Sequence, residues 1–226
     1  MAISYETLLP EILPMVVGCP DFLITNSIRA SVVELCERAS VYQAELDPLT
    51  TVSNIYEYDL EAPAGTSVQK LLWVTHSGID LEPITTALLE QRIPKWRTEG
   101  GVPEYFVQQT SSTFMLAPVP GTTVVNSTII RAVLRPTHNS KSCANDVMND
   151  YRDTIVNGAL SRILRIPNKD WTDLQSASVY GQLFNQGVVD AERRARNADT
   201  GIRRSVRYGG ASGSWRTRRR RYGNGG

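Results

Sequence analysis

Residues Tyr151 to Ala198 constrain the fold most, because they hold two amphipathic helices that meet at a proline. In the first, Ile155, Ala159, Ile163 and Ile166 recur at helical spacing, flanked by Val156, Leu160 and Leu164. That apolar face is broad enough for a core. Pro167 should stop the helix, Asn168-Lys169 should turn the chain, and Asp170 is placed as the next N-cap, with Asp173 three residues on. In the second helix Leu174, Ala177, Gly181, Phe184, Val188, Ala191 and Ala195 follow a three-four spacing. This seam is rich in small residues, Gly187 lies one position off it, and both allow close helix approach. Two destinations stay open for it: the chain's own core, or a neighbouring subunit.

The chain upstream changes period twice. Residues 3–17 read as a short helix interrupted by Pro10 and Pro14. Asn26 is expected to cap a helix burying Ile28, Val32, Leu35, Cys36 and Ala39, with Glu34 and Arg38 paired four apart. From Thr51 the pattern becomes strand-like: 55–60, 68–74, 105–109, 114–117 and 124–134 are rich in β-branched and aromatic residues. Turns are expected at 62–65, at Ser77-Gly78 and from Gly100 to Pro103. Thr85 to Arg92 reads as one short helix with Ile84 and Leu88 facing inward. The fold class is therefore α+β: a helical bundle with an inserted small antiparallel β domain and an extended C-terminal arm. The boundaries expected are 1–52 and 140–200 for the helical body, 53–139 for the β-rich insertion and 201–226 for the arm.

Charge separates the arm from the rest. From Glu192 to Gly226 there are 11 arginines and two acids, net +9; the remainder has 13 basic and 21 acidic residues, net −8. A Gly, Ser and Arg tail has little to bury and is expected to be disordered alone in water. An acidic body with a basic tail is a partner-binding arrangement, the partner being nucleic acid or an acidic protein surface. The three cysteines, Cys19, Cys36 and Cys143, have neither disulfide-framework nor zinc spacing, which fits free thiols in a reducing compartment. No apolar run is long enough for a membrane span, and the N-terminus lacks the basic region of a signal peptide.

No catalytic set, metal site or cofactor motif emerges. His76 and His138 fall in or near turns without spaced partners, and both are expected at the surface. Asp146, Asp150 and Asp153 precede a helix that they should cap. No glycine-rich phosphate loop opens a helix. Trp73, Trp96 and Trp171 are expected as core or interface anchors. Trp215, set among arginines, is expected as a partner anchor or base stacker.

Several motifs in order carry a resemblance. They are Asn26-x-Ile28-Arg29-Ala30 with Glu34-Leu35-Cys36, Gly78 with Leu81-x-Pro83, Gly101-x-Pro103-x-Tyr105, and Leu116-x-Pro118-x-Pro120. Asn157-Gly158-Ala159-Leu160, Leu164 to Pro167, Lys169-Asp170-Trp171, and Ala177, Tyr180, Phe184 and Ala191 follow. From about Tyr5 to Ala195 the chain resembles tailed-phage head-to-tail adaptor (connector) proteins; nothing after Ala198 matches a pattern. The resemblance implies a structural virion protein, made in the host cytoplasm and sited at the neck. It implies a dodecameric homo-oligomeric ring between portal and tail or nozzle proteins, with DNA passing through the lumen and no membrane. On that reading Leu174, Ala177, Gly181, Phe184, Val188 and Ala191 are candidate subunit-interface residues. The candidate portal-binding residues are Arg203, Arg204, Arg207, Tyr208, Trp215, Arg216, Arg218, Arg219, Arg220, Arg221 and Tyr222. The alternative is a nucleic-acid-binding protein that uses the Arg-rich tail.

Overall fold

The computed structural model describes residues 2–197. Six α-helices are present among them: α1 (Leu9–Ile12), α2 (Asp21–Ala39), α3 (Thr86–Arg92), α4 (Asn145–Asp150), α5 (Arg152–Ile163) and α6 (Leu174–Asn197). Pro10 and Pro14 sit in the first turns of short helical pieces, where a missing N–H costs nothing, so residues 5–15 are an interrupted helix as the sequence predicts. The helix α2 starts earlier than expected. Pro20 is its N-cap residue and Asn26 lies inside it, accepting a hydrogen bond from the Arg29 side chain. Ser40 ends it in the left-handed conformation.

The helical body has one core. Tyr5, Leu8 and Ile12 from the N-terminal segment meet Ile24, Ile28, Val32 and Leu35 of α2, Ile155, Ala159 and Ile163 of α5, and Phe184 and Val188 of α6. Helix α5 ends at Ile163, a turn before Pro167, so Ile166 lies past its end and is half-buried. The true N-cap of α6 is Asp173, not Asp170. Its carboxylate accepts from the backbone N–H groups of Gln175 and Ser176, both at 3.0 Å, and from the Ser176 hydroxyl. That position satisfies donors no intrahelical carbonyl can reach.

The strands are β1 (Ala2–Ser4), β2 (Gln43–Glu45), β3 (Leu49–Thr51), β4 (Glu57–Asp59), β5 (Thr66–His76), β6 (Ile79–Asp80) and β7 (Glu82–Pro83). They continue with β8 (Gly100–Gly101), β9 (Tyr105–Gln108), β10 (Thr113–Ala117), β11 (Val119–Pro120), β12 (Val124–Pro136) and β13 (Ser142–Ala144). One sheet runs β2-β12-β5-β6, with β3 also on β12; a second runs β4-β10-β9-β7. Strands β2 and β3 thus join the sheet from residues N-terminal to 53. Two short pairings, β7 with β9 and β8 with β11, are parallel in an otherwise antiparallel arrangement. Gly100-Gly101, expected as a turn, forms β8.

Side-chain alternation explains the layering. Phe114 and Leu116 of β10 and Phe106 of β9 face the first sheet, packing with Val68, Val74, Ile130 and Leu134. Met115 and Ala117, on the opposite face, pack with Val107, Leu89 and Trp96. Both faces of the second sheet are therefore covered, which is why β10 reads as a continuous apolar run. Helix α3 supplies the outer cover. Thr85 caps it, and Leu89, not Leu88, points inward. Trp96 is fully buried with Tyr56 edge-on at 5.3 Å.

The two parts of the chain are tied together. Arg135 of β12 pairs with Glu37 of α2, and the Gln69 amide donates to the Glu37 carbonyl at 2.8 Å. At the other junction β1 pairs with β13, Ile3 opposite Cys143, so the first residues are held where the chain re-enters the body. Three-residue strands carry no periodicity that announces this pair.

Candidate interaction surface

The seam of α6 faces inward. Ala177, Gly181, Phe184, Val188 and Ala191 are buried against α5 and α2 of the same chain, and Leu174 is exposed. Close approach is real here. A Cβ on Gly158 would lie 2.7 Å from the Phe184 ring and 2.8 Å from the Ser31 hydroxyl, and one on Gly187 would lie 3.1 Å from Thr154 Cβ. At Gly181 the nearest obstacle is the end of the Arg165 side chain, at 3.0 Å. Of the two destinations left open by the sequence, five of the seven seam residues occupy the internal one, with Ala195 half-buried. Over Phe184 lies the Arg162 guanidinium, at 5.5 Å, held by Glu34 and by the Ser31 hydroxyl at 2.8 Å. Glu34 also takes the expected pair with Arg38, which reaches on to Asn185 of α6.

The candidate arm residues Arg203, Arg204, Arg207, Tyr208, Trp215, Arg216, Arg218, Arg219, Arg220, Arg221 and Tyr222 lie outside the described residues. What is described is their departure point. The last turns of α6 carry Arg193 paired with Asp190, Arg196 paired with Glu192, and Arg194 over the Tyr151 ring at 5.7 Å.

Among the exposed apolar side chains, two groups stand apart from each other. Met15, Val17 and Phe22 stand out at the start of the helical body, Val17 with 76% and Phe22 with 68% of its surface exposed. Tyr180 of α6 reaches the Met15 sulfur at 3.2 Å, which continues this patch onto the long helix. On the first sheet, a register shift between Arg131 and Ala132 leaves Leu72 without a partner on β12. This bulge turns Leu72 and Trp73 both toward solvent, with Ile79 also exposed nearby in β6. Asp80 accepts from the Trp73 indole at 2.8 Å. Trp73 is therefore at the surface, Trp96 in a core, and Trp171 half-buried against the helical core.

The titratable groups do not converge on a reaction centre. Among the described residues no group of three or more His, Cys, Asp or Glu could hold a metal ion. His76, expected at the surface, is buried; its Nδ1 lies 3.1 Å from the Thr128 hydroxyl across the β5–β12 ladder, and burial lowers its pKa. His138 is exposed. Cys36 and Cys143, far apart in sequence, meet inside the helical core. The neighbouring Cys143 thiol, together with burial, raises the Cys36 pKa and keeps that thiol neutral. Burial pushes Tyr5 up to about 12 even though its hydroxyl shares a 2.8 Å hydrogen bond with Ser140. These are core groups in inert settings. No described helix is long and apolar enough to cross a membrane.

The described residues form an α+β chain with close-packed internal helices and apolar groups left exposed. The SU10 adaptor protein family matches residues 6–207, and the chain belongs to that family of phage adaptors. The comparison with curated proteins gave no match. As a phage adaptor the chain is a structural component of a virion.

Proposed function

We propose that the chain forms a ring between portal and tail, extends the DNA channel, and docks to the portal through its C-terminal arm. Family membership over residues 6–207 is the observation that carries this reading. A cyclic ring needs a heterologous contact, one surface of a subunit against a different surface of the next. The two separate apolar patches, around Phe22 and around Trp73, support such a contact. Five seam residues of α6 are already buried inside the chain, so the subunit contact is assigned to exposed residues, Leu174 being the exposed seam member. The twelvefold count rests on the resemblance alone. A net −8 over residues 1–191 favours a conduit past which DNA slides.

The arm supplies the portal contact. From Ile202 onward it has eight arginines, no lysine and no acid, together with Trp215, Tyr208 and Tyr222. Planar guanidinium forks favour geometric pairing with carboxylates, and the aromatic rings add apolar anchors that a purely electrostatic tether to DNA does not need. Repeated copies in a ring add avidity. The test mixes the purified protein with portal rings and reads the mass of the assembly. Truncation at Gly201 is expected to leave a folded protein that no longer joins the portal, and Trp215→Ala to weaken docking more than loss of any single arginine. Docking that survives truncation overturns the anchor. Steeply salt-dependent binding of double-stranded DNA by the full chain, with docking intact after truncation, favours the nucleic-acid reading instead.

A further inference from the structure

A groove of about 180 Å³ opens between the edges of the two sheets. Its floor is apolar: Leu46, Leu60 and Ile130, all buried. Its rim is acidic: Asp47, Asp59 and Glu61, all exposed and none with an ion-pair partner among the described residues. Strand β4, which carries Asp59, is the edge of the second sheet, and β2 and β3, which flank Asp47, form the edge of the first. Two open ladders therefore border a slot with a greasy base and three free carboxylates. Such a slot accepts an extended segment whose side chains are cationic at the tip and apolar along the stem, or aromatic. It repels phosphate, so nucleic acid is not its occupant.

We infer that this groove receives the start of the chain's own arm, residues 203–208, while the protein is not bound to a portal. Charge is the first argument: the arm is the one strongly cationic segment of a chain that is otherwise net negative. Reach is the second. Helix α6 ends at Asn197, and Ala195 in its last turn lines the same clefts as Gln43. From Gln43 the strand β2 leads straight to Leu46 at the groove, three residues away, or about 10 Å. The six residues from 198 to 203 span up to about 20 Å when extended, so Arg203, Arg204 and Arg207 arrive at the rim without strain. Tyr208 follows them and suits the apolar floor. The arm is thus stowed on the acidic body and released when the portal offers a better partner.

The test needs no portal, so it fails or succeeds independently of the docking proposal. Trypsin cleaves after the arm's arginines, and the cleavage rate follows the undocked population when opening is fast. The full-length protein at low salt is expected to be cut after Arg203, Arg204 and Arg207 about five- to tenfold more slowly than a synthetic peptide of residues 198–226. Asp47→Asn, Asp59→Asn and Glu61→Gln together should raise the rate to that of the peptide, with an unchanged melting temperature. If the triple variant melts lower, Asp47→Asn alone, which lies in the loop between β2 and β3, should still raise it severalfold. Raising salt to about 0.5 M should act in the same direction. Peptide-like cleavage in the wild type, or protection that the acid variants leave intact, overturns the groove as the arm's seat. Protection that disappears on dilution overturns the assignment to the same chain and gives the groove to the arm of a neighbouring copy.

Discussion

Gly158, Gly181 and Gly187 sit on the facing surfaces of α5 and α6, yet they are not equivalent residues. Gly158 faces Phe184 and Ser31, and Gly187 faces the branched Thr154, neighbours that cannot withdraw. Gly181 faces only the end of a flexible Arg165. Gly158→Ala should therefore destabilise the chain by about 1–3 kcal/mol in denaturant unfolding. Gly181→Ala should be neutral or stabilise by up to about 1 kcal/mol, since a helical Gly is replaced by the best helix former. The sequence shows all three glycines but not their neighbours, so it draws attention to Gly181, the roomiest of them. His76 was obscured in the same way. Ser77-Gly78 next to it reads as a surface turn, and the burial comes from β12, some fifty positions away. Its lowered pKa means that the native state prefers the neutral ring. The associated stability is present above the unfolded pKa of about 6.5 and is lost as pH falls below it, because the unfolded chain takes up the proton first. Stability measured at pH 8, 6.5 and 5 should fall along that series, and more shallowly in His76→Gln.

At the scale of elements, periodicity located the helices and strands, and the ends were less legible. Asp170 and Asp173 offer the same local chemistry three residues apart, and only the placement of α6 against the core decides between them. Asp173→Ala should lower the melting temperature at neutral pH and Asp170→Ala should not. Hydrogen bonds from Ser176 and from the helix N–H groups hold the Asp173 carboxyl below its ordinary pKa. The stabilisation is therefore present above the ordinary carboxylate range and is lost as pH falls through the lowered value. The gap between wild type and Asp173→Ala should close in acid. Asn26 misled for a related reason: as a strong capping type inside α2, it lies five residues after the true start at Asp21. The bulge at Leu72 had no signal at all, since a two-residue period does not announce where it slips.

For the whole molecule, the alternation of helical, strand and helical patterns was sufficient to define an α+β chain with its β layers inserted between two helical segments. It could not say which surfaces stay open, because exposure depends on how the layers meet. Phe22, with 68% of its surface exposed, is a case in point: it lies within an amphipathic helix yet outside its buried face. Phe22→Glu should change monomer stability by no more than about 0.5 kcal/mol. The same variant should reduce ring formation in sedimentation or native mass measurements, and rings of normal mass would remove this patch from the subunit contact. The insertion also has a consequence in time. The body's core joins α2 to α5 and α6, on the far side of all the sheet strands. At roughly 5–20 residues per second, a ribosome needs on the order of ten seconds to make the intervening hundred or so residues. Through that interval Ile24, Ile28, Val32 and Leu35 have only the N-terminal segment, and neither α5 nor α6, to cover them, while the two sheets downstream can already close on each other. The nascent chain should therefore fold from its middle outward, with α2 the segment that calls for a chaperone.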